Sequence, residues 1–394
     1  MTKPPRYFAG LSRNTFLLAL ASFFADISTE MLYPVLPVFL TETLKASGSI
    51  VGLIDGCAQA AQNVAQGISG SISDRLQKRK IFALAGFLLA AASKPLIGLS
   101  SVWQGVLGAR LLDRIGTGTR SAPRDALIAA SVGEPDRGRA FGLEGLGDNA
   151  GAFIGPLIAL FLLSALRVDL RSVFFLAVVP GLMAFLMVLL VTERSAAVAA
   201  KSKIDIGLRR FPGTYWRYLL ATAVFGLGNA STSFLILRSR DLGASLQTTI
   251  VIYAIFNLAA ALISYPAGAL SDRWSRRNLL LAAVLIFAAA YLGFALARGT
   301  VAIAALFVAY GLYQGIFRSV GKALAADLVP ESLRASGVGW YSTTVGLLQL
   351  AASVIAGLLW DQVGHVAVFY YGAVLGGLGG VAFFALLPGS PQRT

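Results

Sequence analysis

The sequence has one cysteine, Cys57, and one histidine, His365. A single cysteine excludes an intramolecular disulfide, and one cysteine with one histidine cannot supply the clustered ligands of a zinc site. We therefore expect no metal site and no cofactor. A relay of histidines inside a membrane is excluded as well, so any proton coupling would have to use carboxylates. The N-terminus lacks the short apolar core and small-residue cleavage site of a signal peptide, and the first apolar run is interpreted as a membrane span.

Charged residues are also scarce. They make up 13% of the 394 residues, whereas 56% are hydrophobic and the mean hydropathy is +0.72. An ordinary soluble domain has about 25% charged residues. The net charge of +14 lies mostly in short loops between apolar runs, which is typical of the cytoplasmic loops of membrane proteins. These features predict a polytopic membrane protein and argue against nucleic acid as a partner.

Twelve stretches are apolar and long enough to cross a membrane as helices, which takes about 20 residues. The predicted spans are 15–41, 48–73, 79–100, 102–131, 138–166, 172–193, 215–239, 245–271, 277–298, 301–328, 333–363 and 366–387. The predicted fold class is therefore all-α integral membrane, with twelve transmembrane helices. Basic residues concentrate in the loops on one side, so both termini are predicted to be cytoplasmic.

The fourth span is interrupted by ionisable residues between Arg110 and Asp125. At 100° per residue most of them fall on one helix face. Ionisable groups at bilayer depth are costly, and they normally face a protein interior or a water-filled cavity and serve function. This face is the first candidate for a functional site.

Two motifs recur in the sequence at the same separation of 198 residues. Arg120-Ser121-x-x-Arg124 returns as Arg318-Ser319-x-x-Lys322, and Gly70-x-x-x-Asp74-Arg75 returns as Gly268-x-x-x-Asp272-Arg273. A shared offset between unrelated motifs indicates a duplicated half, which is a common plan of secondary transporters. We predict two pseudo-symmetric six-helix halves, 1–193 and 215–394, joined by a cytoplasmic linker at 194–214.

With twelve spans, a duplicated half and this loop motif after spans 2 and 8, the chain resembles the major facilitator superfamily. The resemblance implies a secondary active transporter that works by alternating access, and no enzyme. It also implies that the loop residues hold the cytoplasmic side closed, although the same charges could serve membrane topology alone. The residues of this predicted cytoplasmic gate are Gly70, Asp74, Arg75, Arg79, Gly268, Asp272, Arg273 and Arg277.

Two further motifs resemble those of the proton antiporters in the superfamily. In span 4 Arg110, Gly116 and Gly118 match the antiporter pattern, whereas Asp113 and Arg114 depart from it by adding two charges. In span 5 the run 151–156, G-A-F-I-G-P, matches only in part, and close helix packing explains these glycines equally well.

The resemblance places spans 1, 4, 7 and 10 around a central cavity. The residues predicted to carry proton coupling are Asp26, Glu30, Arg110, Asp113, Arg114, Glu144 and Asp148. Those predicted to bind substrate are Arg120, Arg124, Arg318, Lys322, Gln314, Tyr33 and Asn229. Basic groups opposed across the repeat would suit a carboxylate or phosphate, which arginine binds through two hydrogen bonds. The alternative is that these charges are salt bridges that never touch substrate.

Charges buried in a membrane need partners, because an unpaired one costs several kcal/mol. From depth alone, Lys94 could pair with Asp55, and Arg124 could pair with Glu144 and Asp148. A carboxylate that changes its arginine partner between states can load and release a proton, although sodium coupling stays open.

The leading interpretation is a proton-coupled transporter of a small or medium organic anion in a bacterial inner membrane. The expected partners are membrane lipids, the small-molecule substrate and protons, and the expected state is a monomer. The alternative is a multidrug:proton antiporter, favoured by the acids of span 1, and a third interpretation is a membrane sensor that does not transport.

Overall fold

The computed structural model describes residues 11–76, 78–133, 136–193, 211–273, 275–330 and 333–387, and over these ranges it contains helices and no strands. The chain order of the helices is α1 Arg13–Glu30, α2 Leu36–Val38, α3 Gly48–Leu76, α4 Arg79–Leu99, α5 Trp103–Ala130, α6 Arg137–Ser164, α7 Leu170–Leu176, α8 Val178–Leu189, α9 Gly213–Gly228, α10 Ser233–Asp241, α11 Leu246–Arg273, α12 Arg276–Leu296, α13 Thr300–Asp327, α14 Arg334–Gln362 and α15 His365–Leu386. A π-helical turn, Phe39–Thr43, follows α2. The predicted all-α membrane fold is confirmed.

Within the described ranges, nine helical stretches are long and apolar enough to span a membrane. The predicted spans that are not among them correspond to α1, α3 and α5. All of these are helical, but α5 carries six ionisable residues and α3 is rich in glutamine, asparagine and serine. The total of twelve spans therefore stays a prediction.

Three spans that were predicted as single stretches are divided in the structure, the sixth of them only by a turn at Ala177 between α7 and α8. The first ends its regular helix at Glu30 and continues through a turn containing Pro34 into α2. Proline has no amide hydrogen to donate, so it favours a break. The seventh is divided between α9 and α10 by a break at 229–232, where the sequence reads N-A-S-T. Serine, threonine and asparagine side chains compete for backbone hydrogen bonds and favour such breaks.

The chain forms two compact units. Over their described residues, the first comprises Met1–Phe39 with Ala61–Lys203 and the second Leu40–Ala60 with Ile204–Thr394. Thus α3 contributes to both units. Its residues up to Ala60, together with the preceding turn from Leu40, belong to the second unit. The division into halves at the 194–214 linker stays a prediction, and most of that linker lies outside the described residues.

Glycines set the spacing of the helices in the first unit, where α5 packs on α4 and α6 packs on α1. A Cβ atom on Gly116 would lie 2.7 Å from the amide nitrogen of Ala90, and one on Gly86 would lie 2.5 Å from the carbonyl oxygen of Gly116. On α6, a Cβ on Gly151 would lie 2.5 Å from the carbonyl oxygen of Phe23. Backbones this close leave no room for a side chain. The antiporter-like glycines thus serve packing in this structure.

The core of the second unit is aromatic. Phe287 stacks on Tyr291 with ring centroids 4.2 Å apart, and Phe225 lies 5.0 Å from Phe287 and 4.9 Å from Phe317. Such edge and stacked contacts contribute about 0.5–1.5 kcal/mol each beyond the burial of their area. This cluster fixes the positions of α9, α12 and α13.

Candidate functional site

Asp113 lies at the centre of a buried charge cluster in the first unit. Its two carboxylate oxygens accept from Lys94 Nζ at 2.6 Å and from Arg110 Nη1 at 2.8 Å, and Arg114 Nε lies 3.6 Å away. The side chains of Asp113, Lys94 and Arg110 are at most 2% exposed. Lys94 and Arg110 together carry two positive charges against one carboxylate, so the pair exceeds its counter-charge by one.

Tyr33 covers this cluster from the turn that follows α1. The guanidinium carbons of Arg110 and Arg114 lie 5.0 and 5.3 Å from the centroid of its ring, within the range of a cation–π contact. Lys94 Nζ also donates to the hydroxyl of Thr29 at 3.4 Å. The half-buried ring of Tyr33 thus contacts both guanidinium groups.

Arg124 lies in a second cluster, in which the carboxylates outnumber the basic groups. Its Nη2 lies 2.8 Å from Glu144 and 2.9 Å from Asp125, and its Nη1 lies 3.7 Å from Asp148. Nη1 also donates to Ser22 at 2.8 Å, and Ser22 in turn donates to Glu144 at 3.0 Å. The predicted pairing of Arg124 with Glu144 and Asp148 is confirmed. With three carboxylates around it, Arg124 has the surroundings of a structural ion pair, and its contact with substrate stays a prediction.

Arg120 lies between these clusters on the same helix. Its guanidinium stacks over Phe87 at 4.4 Å and its Nη2 is 4.0 Å from Asp26, whose side chain is 29% exposed. A small polar cavity lined by Lys94, Arg120 and Thr29 lies beside it. Asp26 is therefore loosely paired and partly accessible, as a carboxylate that exchanges protons needs to be.

The glycines of α6 position the acids of α1. A Cβ on Gly151 would lie 2.9 Å from the Cβ of Asp26, and one on Gly155 would lie 3.0 Å from the Cβ of Glu30. The half-buried Glu30 and Asp26 thus project from a helix that is fixed against α6. Their role in coupling stays a prediction.

In the second unit the predicted substrate residues lie along α13 and at the end of α9. Arg318 and Lys322 are exposed and Gln314 is half-buried. In the described part of the chain Arg318 makes no ion pair, unlike the arginines of α5. The side chain of Asn229 accepts from the hydroxyl of Tyr310 at 3.5 Å, at the start of the break that follows α9.

The pairing of Asp55 with Lys94 is wrong. Lys94 is bound by Asp113, whereas Asp55 accepts from Ser231 Oγ at 2.6 Å and from the hydroxyl of Ser233. The prediction rested on depth in the membrane alone, and the packing of α4 on α5 brings Asp113 to Lys94. The polar run before α10 was the signal for a partner of Asp55.

The predicted gate residues are described only in part. A Cβ on Gly70 would lie 3.1 Å from the Cβ of Ala122, so this glycine permits close approach to α5. The amide of Arg79 donates to Glu193 at 2.7 Å, and Arg277 stacks on Phe384 at 4.9 Å. Gly268 has open space around it, and Arg75 is exposed. The side chains of Asp74, Asp272 and Arg273 lie outside the described set, so the gate stays a prediction.

A family model described as Major Facilitator Superfamily matches residues 18–237 and 218–394. An uncharacterised MFS-type transporter of Methanocaldococcus jannaschii is 34% identical over 94% of both chains. The multidrug resistance protein MdtG of Citrobacter koseri is 29% identical over 70% of both chains. Among solved structures, the nucleoside transporter NupG aligns with a TM-score of 0.81 over 95% of this chain and 100% of its own, at 14% identity.

Proposed function

Because the chain belongs to the major facilitator superfamily and is a membrane transporter of that family, we propose that it moves a small or medium organic anion across the cytoplasmic membrane, coupled to protons. The likeness to solved structures supports the fold alone, so the substrate class is argued from the charges of this chain. Both termini are proposed to be cytoplasmic, from the distribution of basic loops.

The observation that carries the proposal is the sharing of Asp113 by Lys94 and Arg110. A buried cation without its own counter-charge is costly in a membrane interior. A carboxylate or phosphate brought by the substrate would supply the missing negative charge. Arg110 Nε is buried without a hydrogen-bond partner, which leaves this guanidinium with donor capacity for such a group.

In this proposal Tyr33 controls access to the cluster. Its ring lies over both Arg110 and Arg114, so a substrate that reaches the guanidinium groups has to displace it or stack beside it. Arg318 is proposed as a substrate contact of the second unit. Its side chain is exposed, and among the described residues it forms no ion pair. Arg124 is assigned to structural pairing.

Proton coupling is proposed for Asp26 and Glu30. Asp26 is held by Arg120 only at 4.0 Å and is partly exposed, so small movements of α1 against α5 would make or break this pair. Ionisable groups of this kind inside membranes commonly form proton relays.

Thermal unfolding of the purified protein tests the substrate class. The protein would be heated with carboxylate and phosphate compounds and, separately, with lipophilic cations. We expect stabilisation by an anion, and loss of that stabilisation in Arg318→Gln. The matched control is Arg298→Gln, which removes the same charge from an exposed site outside the helices. If the anion stabilised both variants equally, Arg318 would not be part of the substrate-binding site.

Multidrug export is the second candidate, because the chain is similar to MdtG, a multidrug resistance protein. Stabilisation by lipophilic cations that is lost in Asp26→Asn or Glu30→Gln, and retained in Arg318→Gln, would favour this function over anion transport.

A further inference from the structure

Residues 40–60, here named the latch segment, pack within the second unit although they precede most of the first unit in sequence. Glu42 forms an ion pair with Arg240 Nη2 at 2.7 Å. The carboxylate of Asp361, at the end of α14, accepts from the backbone amides of Gly48 and Ser49, both at 2.8 Å. The start of α3 is therefore held by two carboxylates with defined partners.

The contact between the latch segment and α14 is close. A Cβ on Gly357 would lie 2.5 Å from the Cα of Ser49, and one on Gly56 would lie 2.8 Å from the side chain of Leu350. A Cβ on Gly52 would collide with the carbonyl oxygen of Ser353. The backbones of α3 and α14 are therefore in direct contact, and the two helix surfaces are complementary in shape.

Asp55 fastens the middle of the latch segment to the break in the seventh span. Its Oδ2 accepts from Ser231 Oγ at 2.6 Å and from the hydroxyl of Ser233. Ser233 N donates to Ser231 Oγ at 3.1 Å, and Ser231 N donates to Ser353 Oγ at 3.1 Å. The carboxylate of Asp55 thus connects the turn between α9 and α10 to α3. The hydroxyl of Ser353 connects the same turn to α14.

The partners of Asp55 are neutral, in contrast to those of Asp113 and Glu144. Over the described ranges Asp55 makes no ion pair. An ionised carboxylate only accepts hydrogen bonds, so it satisfies both hydroxyls at once. A protonated carboxyl group has to donate one hydrogen bond, and with its charge gone the hydrogen bonds that it still accepts are weaker.

Several charged groups in the latch segment, on α10 and on α14 have defined partners. Arg238 Nη1 pairs with Asp241 Oδ2 at 2.6 Å, and His365 Nδ1 lies 2.8 Å from Asp241 Oδ1. Arg240 is paired with Glu42, and Asp361 is occupied by backbone amides. Glu42, Asp241, Asp361 and His365 also bind protons, so a pH response that persists without the Asp55 carboxylate would come from one of these groups.

We propose that Asp55 is a proton-binding residue whose ionised form holds the latch segment on the second unit and whose protonation releases it. The proton comes from solvent and binds the carboxylate of Asp55, and the two serine hydroxyls then donate to a neutral group, which accepts their hydrogen bonds more weakly. Because α3 continues without a break from the latch segment into the first unit, release frees α3 to move with that unit during transport. This inference rests on the proposed proton coupling and names a residue for it.

Distances between two spin labels test the proposal without any substrate. The labels would be placed at Lys45→Cys in the latch segment and Gln247→Cys at the start of α11, both exposed, in a Cys57→Ser background. Spectra would be recorded from about pH 8 to about pH 4, so that the lower end reaches the ordinary range of protein carboxylates. We expect one short, narrow distance at the higher pH and a longer, broader distribution at the lower pH.

Asp55→Asn is expected to give the broad distribution at both pH values, since it lacks the charge that holds the hydroxyls. Ser231→Ala, which removes a donor and keeps the carboxylate, serves as a second variant and is expected to weaken the latch. His365→Gln is the control and should keep the wild-type response. A pH response that persists in Asp55→Asn, that disappears in His365→Gln, or that is absent from the wild type would overturn the proposal. Failure to find a transported anion would leave this result unaffected, so the two proposals can fail separately.

Discussion

Lys94 and Arg110 share one carboxylate, and this sharing makes Asp113 the side chain on which the buried charges of the first unit depend most. A carboxylate that serves two buried cations cannot be removed without leaving both uncompensated. Removing Lys94 leaves Asp113 to Arg110 and to the more distant Arg114. The two kinds of substitution should therefore differ in their effect on stability, although each deletes one charge.

The first prediction compares Asp113→Asn with Lys94→Met. We expect Asp113→Asn to destabilise the protein by about 3–5 kcal/mol, the usual cost of breaking a buried pair. Lys94→Met should cost much less, because Arg110 keeps its partner, and it should abolish stabilisation by the anion. Thermal unfolding in detergent, followed by intrinsic fluorescence, measures both. Equal losses in the two variants would contradict the charge balance.

Residue patterns predicted which side chains carry charge and that they would pair, but only some of the partners. The contact of Arg124 with Glu144 and Asp148 followed from their shared depth in neighbouring spans. The same criterion assigned Lys94 to Asp55, because depth does not determine which helix faces which. The pairing depends on how α4 packs on α5, and the glycines between these two helices determine that packing.

At the scale of helices, small residues set the geometry on which the charges depend. Gly86 and Gly116 let α4 and α5 meet through their backbones, and this brings Lys94 within reach of Asp113. On α6, Gly151 and Gly155 do the same for α1. The sequence matched Gly151 and Gly155 in part to an antiporter motif and left packing as the alternative, and the structure shows close packing of both on α1.

The second prediction concerns α5. Gly116→Ala places a methyl group 2.7 Å from the amide of Ala90, and overpacking of this kind costs typically about 1–3 kcal/mol. Gly108→Ala, on the same helix with open space around it, should be neutral or stabilising, because alanine favours helix by about 1 kcal/mol over glycine. Comparison of the two unfolding midpoints tests this. A stable Gly116→Ala variant would show that α4 and α5 can separate.

Helix breaks were the elements that the sequence described least well. Hydropathy averages over about 20 residues and therefore joins α9 to α10 across residues 229–232. The break follows from a short polar run whose hydroxyls bind Asp55, a contact between residues far apart in sequence. Local periodicity carries no information on such a partner.

At the scale of the whole molecule, composition and a repeat with one offset were enough to predict an all-α transporter fold, which is confirmed. They also predicted an orientation, which stays a prediction. The assignment of residues 40–60 to the second unit was not foreseen, because a duplicated sequence suggests a single division at the linker.

The third prediction tests the orientation. Single cysteines would be placed at Lys45 and at Ser202 in a Cys57→Ser background and exposed to a membrane-impermeant maleimide in intact cells. The distribution of basic loops predicts that position 45 reacts from outside, and that position 202 in the linker reacts only after the membrane is permeabilised. The reverse pattern would place the basic loops outside and would refute cytoplasmic termini.

Transport itself tests the central claim most directly. The protein would be reconstituted in liposomes that contain a pH-sensitive dye, and carboxylates, phosphates and lipophilic cations would be added one at a time with Lys94→Met as the matched variant. The account predicts that an organic anion changes the internal pH in wild-type vesicles, and that this change is lost in Lys94→Met. A pH change produced by lipophilic cations alone, and unaltered in Lys94→Met, would contradict anion transport and establish drug:proton exchange.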